Sequence, residues 1–162
     1  MIEISLIKDN ANYQKENLDK MENLFKKNFI TREDNELENL FKSDMPGFRI
    51  HLRLVQGVLP VVIFRAIGND MFKTISNEIF LKAFLNPSSQ ATPSLVFHFE
   101  GVTKSFDFKI QSKDEGQIKL GSKTVFDKLL NFLNAEEVPT INKESLFFEY
   151  LDGEWKETTK HL

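Results

Sequence analysis

The chain of 162 residues contains no cysteine. This absence excludes disulfide bonds, thiolate zinc sites and cysteine nucleophiles together. A chain of this length buries roughly 70% of the surface that its unfolded state exposes, so it can fold without a disulfide or a metal. The length indicates one compact domain over residues 1–162, and the lack of cysteine fits a reducing compartment.

Long apolar stretches are also missing. The longest uninterrupted apolar run is VLPVVIF, which begins at Val58 and ends at Phe64. A transmembrane helix needs about 20 apolar residues, so the sequence predicts no membrane span. The first ten residues, MIEISLIKDN, carry neither a basic segment nor a long apolar one, which is not the pattern of a signal peptide. We therefore expect a cytoplasmic protein that has no membrane partner.

The motifs that mark common active sites do not occur. The sequence has no GxGxxG, GxxxxGK[ST], GxSxG or HExxH pattern, so no phosphate-binding loop, nucleophile elbow or helical zinc site is indicated. The three histidines are His51, His98 and His161. We assign no catalytic residue, no metal ligand and no cofactor, and the sequence favours a non-enzymatic protein.

Phenylalanine is abundant, with 16 residues against two tyrosines and one tryptophan. Large aromatic side chains bury much apolar surface, so we interpret most of them as core. Phe80 and Phe84 are four positions apart and share one side of a predicted helix. Either they pack a second side of that helix, or they form an exposed aromatic surface for a protein partner.

Hydrophobic periodicity predicts an α+β fold. Alternation indicates strands at residues 2–6, 48–55, 58–67, 95–100 and 105–110, a strand containing Ile118 and Leu120, and a C-terminal hairpin. Spacings of three and four indicate helices at residues 12–29, 31–41, 71–85 and 122–134. Because short turns join most consecutive strands, we expect a largely antiparallel sheet of about seven or eight short strands, packed by about four helices.

The C-terminal hairpin carries the most specific local prediction. Asp152-Gly153 is a strong signal for a type I′ turn, because both central positions of that turn have positive φ. The turn predicts Tyr150 opposite Trp155 and Glu149 opposite Lys156, an aromatic pair and an ion pair on neighbouring positions.

A second register prediction concerns the middle of the chain. A two-residue turn at Gly101-Val102 would set Phe97 opposite Phe106 and Ser105 opposite His98. His98 and Glu100 would then share the polar face of their strand. This small cluster is the one place where the composition suits acid–base or metal chemistry, although polar residues are ordinary on the wet face of an antiparallel sheet.

The segment FRIHLRL, Phe48–Leu54, concentrates positive charge in a chain whose net charge is −3. Its alternation places Arg49, His51 and Arg53 on one side of a strand, and no Asp or Glu occurs from Phe48 to Asn69. Arg65 would join them or lie on the opposite side, depending on the length of the intervening loop. These arginines either pair with acidic residues of this chain or contact a partner.

From these observations we expect a non-enzymatic protein-binding domain of the bacterial cytoplasm, such as an inhibitor, immunity or accessory protein of a phage or mobile element. A nucleic-acid-binding protein that uses Phe48–Leu54 is the alternative, although a pI of 5.7 disfavours it. A hydrolase or metal-dependent enzyme at His98 and Glu100 is the second alternative. The residues that we predict to contact a partner are Arg49, His51, Arg53, Arg65, Phe80 and Phe84.

Overall fold

The structure is a computed structural model that describes residues 2–9, 15–29, 47–54, 61–85, 90–100, 104–133 and 144–159. The strands are β1 (Ile2–Asp9), β2 (Gly47–Leu54), β3 (Ser94–Glu100), β4 (Lys104–Gln111), β5 (Glu144–Leu151) and β6 (Glu154–Thr158). The helices are α1 (Lys15–Asn28), α2 (Val61–Ile75), α3 (Glu78–Phe84) and α4 (Glu115–Leu133). For β1 and most of β2 the description covers the backbone.

The six strands form one sheet in which the spatial order follows the chain, from β1 to β6. Three neighbouring pairs are antiparallel, β1 with β2, β3 with β4, and β5 with β6. Two pairs are parallel, β2 with β3 and β4 with β5. The α+β class is confirmed. The prediction of a largely antiparallel sheet of seven or eight strands is wrong for the described residues, because helices join the strands of both parallel pairs.

One face of the sheet is apolar and carries the core. Ile50 and Leu52 lie there on β2, beside Phe97 and Phe99 of β3. The buried phenylalanines of the described residues are Phe25, Phe64, Phe80, Phe84, Phe97, Phe99, Phe106, Phe108, Phe126 and Phe148. Burying one such ring contributes roughly 1.5–3 kcal/mol, so this set accounts for much of the driving force for folding. The interpretation of phenylalanine as the main core residue is confirmed.

The helices pack against this apolar face. The ring of Phe64 on α2 lies edge-on to Phe99, with centroids 5.8 Å apart, and Phe126 on α4 meets Phe97 at 6.2 Å. Thr124 on α4 accepts a hydrogen bond of 3.0 Å from the indole Nε1 of Trp155. The helix layer therefore reaches from β3 to β6.

Residues 61–67 are helical, so the prediction of a strand at residues 58–67 is wrong. The β-branched run at Val61–Ile63 favours a strand, yet Phe64, Gly68, Met71 and Ile75 are all buried at spacings of four, three and four. This stripe continues through Gly68, which directly follows the predicted strand at residues 58–67. Tertiary packing of the stripe overrides the local β propensity.

A short break divides the single helix that the sequence predicted at residues 71–85. Asn77 caps α3, since its side-chain Oδ1 accepts a hydrogen bond of 2.9 Å from the backbone N–H of Ile79. The break changes which side of the segment is buried. Phe80, Leu81, Ala83 and Phe84 are buried, whereas Ile79 is 43% exposed.

Helix α4 begins seven residues earlier than predicted, so the strand expected around Ile118 and Leu120 is wrong. The Asp114 carboxylate accepts a hydrogen bond of 2.7 Å from the backbone N–H of Gln117, which satisfies one unpaired donor at the start of the helix. Ile118 is then buried as part of the helical stripe that continues at Val125 and Leu129.

The other local predictions agree with the structure where it describes them. A helix lies at Lys15–Asn28, inside the range predicted from residue 12 to residue 29. The hairpin is confirmed in its register, with Tyr150 opposite Trp155, and in its turn, with φ of 53° at Asp152 and 86° at Gly153. The helix predicted at residues 31–41 lies outside the described residues. Among those residues, no helix is both long and apolar enough to cross a membrane.

Candidate functional site

The second face of the sheet, called the polar face below, is built from alternate residues of all six strands. Its described side chains on the last three strands include several that are exposed: Gln111, Ser145, Leu151, Glu154 and Lys156. Strand pairing arranges the residues of this face in rows that run across the sheet. The rows, and not the individual strands, determine which charges lie side by side.

The first row contains Arg53. The register sets Arg53 between Glu3 on β1 and Glu100 on β3. The same row continues on β4 and β5 with Ser105 and Ser145, whose hydroxyl oxygens are 3.0 Å apart. Arg53, one of the three predicted partner contacts on β2, therefore stands between two acidic residues.

The middle row contains His51 and His98, which stand directly opposite each other on the parallel strands β2 and β3. Ser5 precedes them on β1 and Asp107 follows on β4. Nδ1 of His98 lies 2.8 Å from Oδ1 of Asp107, and His98 is only 7% exposed. The distance is that of a hydrogen bond between the imidazole and the carboxylate.

The third row alternates in charge toward the C-terminal edge of the sheet. Arg49 stands between Ile7 and Val96. Lys109 on β4 donates a hydrogen bond of 3.1 Å to Glu149 on β5. Lys156 on β6 stands opposite Glu149 in the register, as predicted, although the carboxylate nearest to its Nζ is that of Asp152, at 3.8 Å.

The register of β3 and β4 corrects the predicted cluster around His98. Phe97 stands opposite Phe108, not Phe106, so the pairing is shifted by two residues from the prediction. Asp107, not Ser105, is therefore the partner of His98. A shift of two keeps every side chain on its face, and for that reason alternation alone did not distinguish the two registers.

The structure brings together three of the six predicted partner-binding residues, Arg49, His51 and Arg53, on neighbouring alternate positions of β2. Arg65 does not join them, because it is an exposed residue of α2 in the helix layer. Because Arg65 is helical, the question of which strand face it occupies does not arise.

Phe80 and Phe84 do not form an exposed aromatic surface. Both rings have no exposed area, and they stack on each other with centroids 6.1 Å apart and planes 18° apart. They pack in the core, which agrees with the first of the two alternatives, a helix that is buried on two sides. Packing in the core explains why the two rings lie four positions apart, so a protein partner is not needed to account for them.

Sequence reasoning missed Asp107, Lys109 and Glu149 as residues of the candidate site. Each was visible as the polar member of an alternating strand, but alternation does not say which strand lies beside which. Their grouping follows from β4 pairing with both β3 and β5.

The described residues offer little for small-molecule chemistry. No three His, Asp or Glu side chains among them are grouped closely enough to hold a metal ion. An open cavity of about 310 Å³ lies between α1 and α2. Its polar groups bond locally, since Thr74 donates to the backbone oxygen of Asp70 and Asn28 donates to that of Leu24. The polar face is consequently the better candidate.

The rows of the polar face combine acidic, basic and hydroxyl side chains on a sheet whose other face is covered by helices. Comparison with protein-family models, curated proteins and solved structures gives no significant match.

Proposed function

We propose that this domain binds a protein partner through the polar face of its sheet. The observation that carries the proposal is the asymmetry of the sheet. Its apolar face packs against helices, while side chains such as Ser145 and Lys156 on the opposite face are exposed to solvent. The exposed part of this face lies on β4, β5 and β6, whereas Ser94 and His98 on β3 are buried.

The size of the polar face supports a protein contact. Six strands about 4.8 Å apart and about 20–25 Å long span roughly 500–600 Å². A standard protein interface buries roughly 800 Å² on each partner, so the polar face and its rim match one side of such an interface. A contact of this size does not need a deep cavity.

The distribution of charge favours a protein over a nucleic acid. Arg53 stands between two acidic residues, and Glu149 stands between two lysines. A nucleic acid would require a continuous positive surface that neutralises several phosphates. Alternating signs instead suit a partner with a matching pattern, because opposite charges across an interface fix its register and exclude wrong partners.

The class of protein that we propose is the one that the sequence indicated, a non-enzymatic inhibitor, immunity or accessory protein of a bacterial phage or mobile element. Small size, a net charge of −3 and usage rich in Lys, Asn, Ile and Phe support it.

Affinity capture with matched charge reversals tests the proposal. The variant Lys109→Glu/Lys156→Glu changes the polar face, and Lys73→Glu/Lys123→Glu makes the same change of charge on exposed positions of α2 and α4. We expect the polar-face variant to lose a protein that the wild type and the helix-layer variant both retain after nuclease treatment.

Two results would contradict the proposal. Equal retention of the partner by both double variants would place its binding site elsewhere. Material that is lost after nuclease treatment, and whose binding weakens steeply with added salt, would favour the nucleic-acid alternative instead.

A further inference from the structure

The last strand of the sheet, β6, has an edge along which no other described strand runs. Among the described strands it pairs with β5 alone. Leu151 and Glu154 flank the two-residue turn and form the hydrogen-bonded pair that closes it. Bonded and non-bonded pairs alternate along an antiparallel ladder, so Trp155 and Glu157 direct their backbone N–H and C=O groups away from β5. Such an edge is a template for pairing with another strand.

The helix layer leaves this edge accessible. A β-carbon at Gly121 of α4 would lie 2.8 Å from Cδ1 of Ile110 and 3.1 Å from Cδ1 of Tyr150, so α4 packs closely over β4 and β5. Glu157 stands opposite the buried Phe148, which places its side chain on the helix side of β6, and it is exposed. The described helices therefore stop short of the outer edge of β6.

Apolar side chains are partly exposed on the helix side of the same edge. Trp155 is half-buried, and its indole donates a hydrogen bond to Thr124 of α4. Leu120 precedes Thr124 by one helical turn and lies on the same side of α4, where it is 47% exposed. Pairing along β6 would remove this apolar surface from water.

The side chains of β6 are complementary to themselves in one register. Two antiparallel β6 strands that keep the faces of the sheet aligned can be centred on any of the three middle residues, Trp155, Lys156 or Glu157. Centring on Lys156 sets two lysines opposite each other, and centring on Glu157 sets two glutamates opposite each other. Like charges in these positions are destabilising. Centring on Trp155 instead sets Glu154 of each copy opposite Lys156 of the other.

We propose that β6 pairs with β6 of a second copy of this chain, on a two-fold axis through Trp155. The two Trp155 backbones exchange two hydrogen bonds and join the two six-stranded sheets into one. The indole rings meet on the helix side, beside Leu120 of each copy. On the polar face, Glu154 pairs with Lys156 across the axis. The ion pair of Lys156 with Asp152 competes weakly, because it spans 3.8 Å and both side chains are exposed.

The dimer goes beyond the binding of another protein proposed above, because it uses an edge of the sheet and a partner of known sequence. The contact is small, since a strand of five residues is about 17 Å long, and it buries less than the roughly 800 Å² per partner of a standard interface. We therefore expect a weak dimer that dissociates on dilution.

Sedimentation equilibrium of the full chain over a range of concentrations tests the dimer. Lys156→Glu and Glu154→Lys should each weaken association at least about tenfold, because each change acts twice across the two-fold axis. The exchanged double variant Glu154→Lys/Lys156→Glu should restore the dimer, since the opposite charges again face each other. Lys73→Glu makes the same change of charge on an exposed position of α2 and should leave association unchanged.

Leu120→Glu keeps the test decisive if the charge changes disturb the hairpin, because Leu120 lies on α4. It should also weaken the dimer, whereas Val62→Glu, at an exposed apolar position of α2, should not. The emission of Trp155, the single tryptophan, should shift to shorter wavelength as the wild type associates.

Three results would overturn the proposal. The first is a wild-type chain that stays monomeric at about 1 mM, where even a dissociation constant of that size would leave dimer. The second is a dimer that the two single charge variants and Leu120→Glu form as well as the wild type does. The third is a double variant, folded by circular dichroism, that fails to restore the association lost in the single charge variants.

Discussion

Gly68 on α2 and Phe126 on α4 approach so closely that a β-carbon at position 68 would lie 2.7 Å from Cγ of the ring. This contact sets the separation of the two longest described helices on the apolar face. A β-carbon there would also lie 2.9 Å from Cβ of Phe126, which cannot move without the backbone of α4. The hydrogen side chain of glycine is therefore required by packing.

Gly68→Ala should destabilise the protein, although alanine has the better helix propensity by about 1 kcal/mol. Overpacking typically costs about 1–3 kcal/mol, so we expect a net loss of about 1–2 kcal/mol in the free energy of unfolding. Urea denaturation measures it. The exposed neighbour provides the control, since Asn69→Ala should change stability by less than about 0.5 kcal/mol. A more stable Gly68→Ala variant would show that the helices do not pack this closely.

The C-terminal hairpin allows a test of backbone strain without a steric clash. Gly153 has φ of 86°, and a β-carbon at that position would have no described atom within 4 Å. Gly153→Ala should cost about 1–2 kcal/mol because the left-handed region disfavours a β-carbon. Gly153→Asn should cost less, because asparagine tolerates that region better. Thermal denaturation compares the variants, and equal losses would contradict a positive φ at this position.

The hydroxyl of Tyr150 should make stability depend on pH in the alkaline range. Its oxygen is buried and has no hydrogen-bond partner among the described residues, and burial raises the pKa of Tyr150 above its ordinary value of 10.0. The unfolded chain then loses this proton at lower pH than the native protein does. The stability conferred by the neutral phenol is present below pH 10 and declines as pH rises through the folded pKa.

Denaturation of Tyr150→Phe between pH 8 and pH 11 isolates this effect. The wild type should lose more stability than the variant above pH 10, and the variant should be at least as stable as the wild type near pH 7, because it lacks a buried unpaired hydroxyl. Tyr13→Phe removes the other tyrosine and serves as the control. Parallel pH profiles of the wild type and Tyr150→Phe would contradict the burial of this hydroxyl.

The hydrogen bond between Trp155 and Thr124 links the hairpin to α4. Thr124→Val keeps the shape of the side chain. It removes the hydroxyl oxygen that accepts the 3.0 Å hydrogen bond from the indole N–H. We expect a loss of about 1 kcal/mol and a shift in the emission of the single tryptophan. Thr158→Val, at the end of β6, is the matched control. Unchanged emission and stability in Thr124→Val would show that the bond does not form.

Local turn chemistry made the C-terminal hairpin predictable from the sequence. Two residues, Asp152 and Gly153, determine the turn, and the register of β5 and β6 follows from it directly. The register of β3 and β4 was less predictable, because pairings that differ by two residues put the same side chains in the core.

The parallel pairs were not predictable from local pattern. β2 pairs with β3, and β4 with β5, across segments that contain helices, so no turn sequence encodes their register. Two helical stretches also carry patterns that favour strands, the β-branched run at Val61–Ile63 and the alternation of apolar and polar residues around Ile118. Both stretches are helical because their apolar residues are buried at helical spacing. That burial depends on the sheet against which the helices pack.

The candidate site was predictable in part. Alternation in FRIHLRL places Arg49, His51 and Arg53 on one face, and β2 is a strand. Their neighbours Glu3, Ser5, Val96, His98 and Glu100 come from strands distant in sequence, so the mixed charge of the rows emerges only from the fold.

Site-specific photo-crosslinking is the most direct test of the polar face as the interaction surface. Because the chain has no native cysteine, a single cysteine can carry a benzophenone maleimide without side reactions. Ser145→Cys places the label at an exposed position of the polar face, and Lys123→Cys places it at an exposed position of α4. We predict that the captured protein crosslinks to the label at position 145 and not at position 123. Crosslinking at position 123 alone would contradict the proposed surface.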